Sequence, residues 1–443
     1  MGTRPSAVEG VTGVTALNEG LGMAGSWYAA TAHPWVTLPA LSGDETSDLV
    51  VVGGGCTGLA AALYAARAGR SVVLLEGGRV GWGASGRNGG QIIPGLRKGA
   101  VELVDMLGAD RAKVLFELSL EARKVVTGLI AEYDIKCDLA LTGHLLGAVK
   151  RGDMSAFAKE AECLDQVMGY RHVRLLDQAE ARAAVATPEF CGALVDEMGG
   201  HLHPLNYTLG LARACLSAGV RVFEGSEVLA LEKTAQGVEV RTAQGSVRAA
   251  HVILAGDALL RGLSPQVNRR IMPVANYQVV TEPLKSPEDI ISANRAVSDS
   301  RFVVDYFRLT ADGRLLFGGG ERYTPDPPRD MTAFVRPYLE RAFPQLASVR
   351  LTHAWGGLVS VTLSRLPHIG REGAVLYAHG YSGQGVILSS LAGKLMARAL
   401  DGDAAPLEQF AAVAPPPFPG GRALSRPLYM LGMAWYAMRD RLG

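Results

Sequence analysis

The pattern of apolar and polar positions over residues 48–76 predicts a strand, a helix and a second strand. An apolar run follows Asp48 and ends in three glycines, residues 59–67 are good helix formers, and a second apolar run ends at Glu76. This order is typical of a βαβ unit, in which a helix connects two parallel strands. We therefore expect an α/β core that begins near residue 48.

The glycines between the first strand and the helix have the spacing of a dinucleotide-binding turn. Gly53 permits a tight turn, Gly55 lets the backbone approach a diphosphate, and Gly58 lets the helix pack close to the strand. Cys56 and Thr57 then stand at the helix N-terminus, where unpaired N–H groups and the helix dipole favour negative charge.

The acid that ends the second strand supports the same interpretation. Glu76 can accept two hydrogen bonds from a ribose diol, and an acid here disfavours a 2′-phosphate, so NADP is not expected. Glycines also mark ordinary turns, but the strand, the helix and the terminal acid together predict a dinucleotide site. This unit alone does not separate FAD from NAD.

A second glycine-rich run at residues 81–91 distinguishes these two cofactors. It brings small residues and an amide where a nicotinamide-binding domain would begin another helix. Such a segment can lie as extended backbone along a cofactor, with its N–H groups toward the diphosphate and the ring edge. The run therefore favours FAD. The alternative is a flexible glycine loop with Arg87 and Asn88 in solvent.

A third glycine-rich run at residues 380–385 lies near the other end of the chain. A strand-like segment enters these glycines, and a helical pattern follows at residues 387–400. A helix N-terminus directed at the pyrimidine end of a flavin would stabilise the negative charge that develops on reduction. The alternative is a strand-to-helix turn without a ligand. The three runs together predict a protein wrapped around one FAD.

With the segments at residues 27–31, 200–204, 305–309 and 364–367, these runs resemble the D-amino acid oxidase superfamily of FAD-dependent enzymes. Within it, the chain is most similar to the gamma-glutamylputrescine oxidoreductase group of bacterial amine oxidases. The resemblance implies a mixed α/β fold. A Rossmann-like FAD-binding domain of the glutathione-reductase type, discontinuous in sequence, would accompany an α+β substrate domain built on an antiparallel sheet.

The expected domains alternate along the chain. The predicted ranges are 1–25 for a mobile tail, 26–100, 200–260 and 355–414 for the FAD-binding domain, 101–199 and 261–354 for the substrate domain, and 415–443 for a proline-rich spacer and a helix. The apolar stretch of that helix is shorter than the ~20 residues needed to cross a bilayer. We expect it to pack on the protein or on a subunit partner, with contact at a membrane surface as the alternative.

The residues predicted to contact FAD come from the three runs and from short segments near residues 76, 228 and 255. They are Gly53, Gly55, Cys56, Thr57, Gly58, Glu76, Gly77, Ala84, Ser85, Gly86, Arg87, Asn88, Gly89, Gly90, Gln91, Val228, Ala255, Gly256, Gly380, Tyr381, Ser382, Gly383, Gln384, Gly385 and Val386. In the resembling family, the backbone at the position of Val228 pairs with adenine; an ordinary edge strand is the alternative. Asp257 and Gln384 stand where relatives often carry asparagine and histidine, so both side-chain contacts stay open.

The resemblance implies flavin-dependent oxidation of an amine. Hydride would pass from the substrate C–H bond to N5 of FAD, the imine would hydrolyse to an aldehyde or keto acid, and O2 or another acceptor would reoxidise the flavin. No catalytic acid, base or nucleophile is required, and the sequence offers no convincing triad or metal cluster. The alternatives are an amino or imino acid dehydrogenase of the same superfamily and a flavin-binding module without catalytic activity.

Four residues are candidates for the substrate pocket. Period-two spacing places Tyr306 and Arg308 on one face of a strand, and Tyr277 lies on a neighbouring predicted strand. Aromatic rings can wall the space over the flavin, and the planar fork of Arg308 can pair with a substrate carboxylate. Trp355 precedes the third run and can bring backbone near the ring. The alternatives are a half-buried strand with a surface arginine and a core tryptophan.

Composition limits the remaining function classes. The 443 residues include 44 basic and 43 acidic side chains, and a formal net charge of +1 gives no nucleic-acid signature. Five cysteines without CxxC spacing indicate reduced thiols in a cytoplasmic protein.

Sarcosine-oxidase-like relatives attach flavin to a cysteine before the third run, and residues 360–364 contain none. We therefore expect non-covalent FAD, an amine substrate and no metal or transmembrane segment; the sequence does not predict the oligomeric state.

Overall fold

The computed structural model describes residue 23 and residues 25–260, 262–322 and 327–419. The predicted N-terminal tail lies almost wholly outside these described residues. The predicted C-terminal helix lies entirely outside them.

The strands are numbered in chain order. They are β1 (Gly43–Val52), β2 (Val72–Leu75), β3 (Gln91–Ile92), β4 (His144–Ala148), β5 (Val173–Leu176), β6 (Gly192–Asp196), β7 (Gly200–His201), β8 (Arg221–Phe223), β9 (Ala230–Thr234), β10 (Gly237–Arg241), β11 (Gly245–Leu254), β12 (Met272–Thr281), β13 (Ala296–Asp299), β14 (Tyr306–Leu309), β15 (Leu315–Arg322), β16 (Leu351–Val361), β17 (His368–Glu372) and β18 (Val375–His379).

The α-helices are numbered in the same way. They are α1 (Trp27–Thr31), α2 (Cys56–Arg67), α3 (Ala100–Leu107), α4 (Ala109–Glu132), α5 (Arg151–Gln166), α6 (Gln178–Ala184), α7 (Pro204–Ser217), α8 (Pro265–Asn268), α9 (Met331–Ala342), α10 (Gly385–Leu400) and α11 (Ala405–Ala411).

The first sheet has a parallel centre in the order β8-β2-β1-β11-β18, with β17 antiparallel at its edge. Strand β10 pairs antiparallel with β11, and β9 pairs antiparallel with β10. Its central strands are buried on both faces. Val51 and Leu74 pack into one apolar cluster, whereas Val50 and Val73 pack into another on the opposite side. Near-continuous apolar runs are typical of strands covered on both faces, and the predicted βαβ unit is confirmed.

Helices α2 and α10 pack against each other over the first sheet and bring distant parts of the chain together. Gly393 of α10 faces α2 so closely that a Cβ there would lie 2.6 Å from both Thr57 O and Ala61 N. The absence of a side chain therefore allows close helix packing. Because both helices begin at glycine-rich runs, this contact places the first and third runs side by side.

The second sheet has the order β16-β12-β15-β14-β13-β4-β6-β5. All of its pairs are antiparallel except β13 with β4, which is parallel. Helix α9 packs on one face over a core that includes Phe307, Phe317 and Phe343. The predicted fold class, an α/β cofactor domain with a second, mainly antiparallel sheet, is confirmed.

Three features differ from the predicted domain ranges. Strand β16 belongs wholly to the second sheet, so this sheet continues past the predicted boundary at residue 355. Helix α4 packs against α10 and shares the apolar core of the first sheet. The segment 415–419 is not a free spacer, because Phe418 is buried against Met272 and Val361. No helix among the described residues has the length and apolar content needed to span a membrane.

Candidate functional site

A cavity of about 450 Å³ lies where the two sheets meet. Its volume falls within the range of roughly 300–1,000 Å³ that is usual for ligand sites. All but four of the predicted cofactor residues line it, so the three glycine-rich runs do converge. The lining residues among them are Gly53, Gly55, Cys56, Thr57, Glu76, Gly77, Ala84, Ser85, Arg87, Asn88, Gly89, Gln91, Val228, Ala255, Gly256, Tyr381, Ser382, Gly383, Gln384, Gly385 and Val386.

The other four predicted residues, Gly58, Gly86, Gly90 and Gly380, pack behind the cavity wall. A Cβ at Gly58 would lie 2.0 Å from Gly53 O, at Gly86 2.2 Å from Gly81 O, and at Gly90 2.1 Å from Leu202 O. A Cβ at Gly380 would lie 2.5 Å from the Thr362 side chain. These glycines therefore shape the cofactor runs by close packing instead of lining the cavity.

The first run presents the N-terminus of α2 to the cavity. Gly53 has a φ of +115°, a conformation that favours glycine, and a Cβ there would lie 2.7 Å from Ala255 O. The Cys56 N–H, the first of α2, donates a 3.0 Å hydrogen bond to Ser85 Oγ of the second run. The helix terminus predicted to meet a diphosphate thus faces the cavity between these two runs.

Glu76 lies where the sequence predicts a ribose partner. Its carboxylate accepts hydrogen bonds from Gly54 N–H (2.6 Å) and Gly78 N–H (2.8 Å) and lines the cavity. Burial raises the pKa of Glu76, the two backbone N–H groups lower it, and the nearby charge of Glu224 raises it. The two backbone donors fix the carboxylate at the end of β2, where further acceptor positions remain for a ligand.

The second run is fixed between the two sheets by Arg87. The Arg87 side chain is 1% exposed and donates to Trp82 O (2.6 Å) and Gly356 O (3.0 Å). Its own C=O accepts hydrogen bonds from Trp355 Nε1 (3.1 Å) and from Gln278 Nε2. Burial lowers the pKa of Arg87 to about 10. The flexible loop with a solvated arginine, the alternative interpretation of this run, is therefore wrong.

The third run joins the first through a pair of hydroxyl groups. Tyr381 OH and Thr57 Oγ1 are 2.8 Å apart, and α10 begins with Gln384 as its N-cap residue. Gly383 has a φ of +99°, and a Cβ there would meet nothing within 4 Å. Asp257 Oδ1 accepts a hydrogen bond from Gly380 N–H at 2.9 Å, so this residue supports the run. A second helix N-terminus is thereby presented to the cavity.

Of the four predicted substrate residues, Tyr306 lines the cavity and the other three do not. Tyr306 and Arg308 share one strand face, as predicted, because both side chains lie against Gly89 and Gly90. Arg308 is only 2% exposed and donates to Gly89 O (2.7 Å) and Tyr28 OH (3.2 Å). It supports the second run, and the prediction of a surface or carboxylate-binding Arg308 is wrong.

Tyr277 and Trp355 are also supporting residues. The Tyr277 ring packs edge-on against Phe334, with ring centroids 5.3 Å apart, on the face of β12 that helix α9 covers. Trp355 is fully buried, and its indole N–H holds Arg87 O. Neither side chain reaches the cavity, so their predicted role as pocket walls is not supported by the geometry.

Sequence reasoning missed the polar residues that flank Tyr277. Asn276 and Gln278 line the cavity, and Tyr306 OH donates to Asn276 Oδ1. Gln278 is 2% exposed, and its Oε1 has no hydrogen-bond partner within the described part of the chain. A buried, unpaired acceptor beside the cofactor runs is the kind of group that a ligand satisfies. The strand periodicity was the available signal, because it places both neighbours of Tyr277 on the opposite face.

The family comparison supports this site. A family model described as "FAD dependent oxidoreductase" matches residues 48–399. The chain belongs to this family of FAD-dependent oxidoreductases. It is 40% identical to gamma-glutamylputrescine oxidoreductase of Escherichia coli (strain K12), over 94% of this chain and 98% of that protein. It is 37% identical to a probable oxidoreductase, OrdL, of Rhizobium meliloti (strain 1021), over 94% of this chain and 97% of that protein.

Solved structures show the same fold. Glycine oxidase from Geobacillus kaustophilus matches with a TM-score of 0.70 at 21% identity, over 81% of this chain and 95% of that chain. L-proline dehydrogenase from P. horikoshii matches with a TM-score of 0.68 at 22% identity, over 81% of this chain and 94% of that chain.

The cofactor of the present protein, as a member of the family of FAD-dependent oxidoreductases, is FAD. Two helix N-termini, the Glu76 carboxylate and the side-chain-free surface at Gly383 fit such a dinucleotide.

We predict that FAD is held without a covalent bond. Among the described cysteines, Cys56 lines the cavity, and it lies at the start of α2, buried beside Thr208 Oγ1 at 3.2 Å. Burial raises the pKa of the Cys56 thiol and so disfavours the nucleophilic thiolate. Acid precipitation of the purified protein is expected to release the yellow chromophore into the supernatant. Colour that remains in the washed pellet would contradict this expectation.

Proposed function

We propose that this oxidoreductase oxidises the C–N bond of an amine to an imine, which hydrolyses in water to a carbonyl compound. The relative at 40% identity, which is named gamma-glutamylputrescine oxidoreductase, supports this substrate class. The observation that carries the proposal is the polar wall formed by Tyr306, Asn276 and Gln278 beside the FAD-binding runs. Bound FAD supplies the two-electron acceptor, and O2 or another compound restores it.

The wall of the cavity suits a neutral amine. Gln278 Oε1 is available as an acceptor for an amine N–H, and the hydrogen bond from Tyr306 OH to Asn276 Oδ1 fixes the orientation of these two side chains. Arg87 and Arg97 also line the cavity. Positive charge near an ammonium group lowers its pKa, so these residues favour the neutral form, whose lone pair assists loss of hydride. The protein therefore acts by positioning the amine and by removing water from it.

Two further properties are part of the proposal. A cytoplasmic location agrees with five free cysteines in the described residues, three of them buried. The amino acid dehydrogenase alternative rested on Arg308, and the burial of that guanidinium behind Gly89 removes its support. An amine carrying a gamma-glutamyl group is the first substrate to test, because the relative at 40% identity is named for one.

Anaerobic mixing with a suitable amine is expected to bleach the flavin absorbance of the holoprotein. The panel comprises polyamines, gamma-glutamylated amines, N-methyl amino acids and cyclic imino acids, with a diacylated diamine as the control that has no oxidisable amine. Steady peroxide formation in air would indicate an oxidase, whereas turnover only with an artificial acceptor would indicate a dehydrogenase. If dithionite reduces the flavin but no amine in the panel does, the proposed function is wrong.

A further inference from the structure

Arg365 occupies a constrained position in the wall of the cavity. It lies in the turn after β16, is half-buried, and lines the cavity. Its φ is +62°, an uncommon conformation for a residue with a side chain. The Arg365 N–H donates to Thr362 O at 3.3 Å, and the Thr362 N–H donates to Ser382 Oγ at 3.2 Å. The turn is therefore attached to the third FAD-binding run.

The guanidinium of Arg365 lies over an aromatic ring from another element. Its carbon is 5.1 Å from the ring centroid of Phe302, which belongs to the loop between β13 and β14 and also lines the cavity. A cation held over an aromatic face has fewer accessible rotamers and keeps its planar edge available for hydrogen bonds. Among the described residues, no carboxylate forms a salt bridge with Arg365.

The charges of the cavity are separated along its length. Its described carboxylates, Glu76, Glu227 and Asp257, follow strands β2, β8 and β11 of the first sheet. Among the described lining residues, those contributed by the second sheet and its loops include Arg365 and no carboxylate, and Arg97 adds a further cation at the cavity. The described wall on the side of the second sheet is therefore electropositive. Such a surface disfavours a substrate whose remote end carries a second ammonium group.

We propose that Arg365, held over Phe302, binds a carboxylate at the end of the substrate remote from the amine that is oxidised. The substrate class is then a primary amine with a distal carboxylate, such as an N-glutaryl diamine, in preference to the free diamine. A planar guanidinium recognises a carboxylate through two parallel hydrogen bonds. This inference rests on the proposed amine oxidation and specifies which amine the site accepts.

The direct test uses two amines that differ only at the remote end. N-glutarylputrescine carries a carboxylate there, and its terminal amide replaces that carboxylate with a neutral group. For the unmodified holoenzyme, kcat/KM is expected to be roughly 10- to 100-fold higher for the carboxylate than for the amide. Arg365→Met is expected to remove this preference mainly through KM, while the amide substrate changes by less than about twofold. Arg365→Lys keeps the charge without the planar fork, so its preference for the carboxylate is expected to lie between those of the unmodified enzyme and Arg365→Met.

Arg350→Met is the matched control, because Arg350 precedes the same strand, its side chain is 72% exposed, and it pairs with Glu282 away from the cavity. It is expected to keep the full preference for the carboxylate. An unmodified enzyme that shows no preference between the two amines would overturn the inference without the use of any variant. Equal losses on both amines in Arg365→Met would also overturn it.

A binding measurement separates this inference from the proposed function. Glutarate is titrated into the holoprotein and followed by the change in flavin absorbance, which requires no turnover. The dissociation constant is expected to rise at least about tenfold in Arg365→Met and to stay unchanged in Arg350→Met. If no amine reduces the flavin but glutarate binding depends on Arg365, the proposed function fails and the carboxylate site stands. If amines reduce the flavin and glutarate does not bind, the carboxylate site fails alone.

Discussion

Replacing Gly58 with alanine is expected to lower the affinity for FAD by at least about tenfold and to yield a largely colourless protein. The new Cβ would lie 2.0 Å from Gly53 O, which is backbone and cannot rotate away. Helix α2 must therefore move from β1, and its N-terminal N–H groups leave the position that they hold between the first and second runs. Bound FAD per chain after gel filtration, together with the thermal midpoint, measures the effect.

Gly128→Ala provides the matched control for this substitution. Gly128 lies inside α4, a Cβ there would meet nothing within 4 Å, and its φ is not positive. Alanine is more favourable than glycine in a helix interior by roughly 0.5–1 kcal/mol, so this variant should keep its FAD and gain slightly in stability. A Gly58→Ala protein with full FAD content would show that close packing of α2 on β1 does not position the cofactor.

Replacing Glu76 with glutamine is expected to weaken FAD binding by roughly 10- to 100-fold, because hydrogen bonds to a charged acceptor are lost. The carboxylate now accepts from Gly54 and Gly78 N–H groups, whereas an amide presents one oxygen and one donor NH2 group. Equilibrium titration of the apoprotein with FAD gives the dissociation constant. Glu117→Gln, on the exposed face of α4, is the control and should bind as the unmodified protein does.

The same variant provides a pH test. Burial raises the pKa of Glu76, so its carboxylate takes up a proton at a higher pH than an exposed glutamate does. Protonation removes one acceptor, and the FAD affinity of the unmodified protein should therefore fall on acidification toward that raised pKa. Glu76→Gln lacks this titrating group, so its FAD affinity should depend less on pH over the same range. Parallel pH profiles would contradict the role of the Glu76 carboxylate.

Local patterns in the sequence were sufficient to predict the cofactor half of the site. Strand, glycine run and helix follow one another within a few residues, so the orientation of Gly53, Gly55 and the start of α2 is set by short-range geometry. The meeting of the first and third runs depends instead on α10 packing against α2 through Gly393, more than 300 positions from the first run. The three runs together predicted that they meet at one cofactor, but no local pattern indicated this contact between the two helices.

The substrate half was harder to predict because it depends on which face of each strand meets the cavity. The aromatic ring of Tyr277 predicts a pocket wall, but α9 covers that face of β12, and the polar neighbours Asn276 and Gln278 face the cavity. The charge of Arg308 predicts a carboxylate partner, but Gly89 and Gly90 lie against its guanidinium. The position of Arg365 could not be predicted from strand or helix periodicity, because this residue lies in a turn and has a left-handed backbone conformation.

The most direct test of the central claim is the amount of FAD that one chain retains. Apoprotein is incubated with excess FAD, passed through a gel-filtration column, and assayed for flavin absorbance against protein concentration. Convergence of the three glycine-rich runs on one cofactor predicts one FAD per 46.8 kDa chain. A folded protein that elutes without flavin would contradict the account.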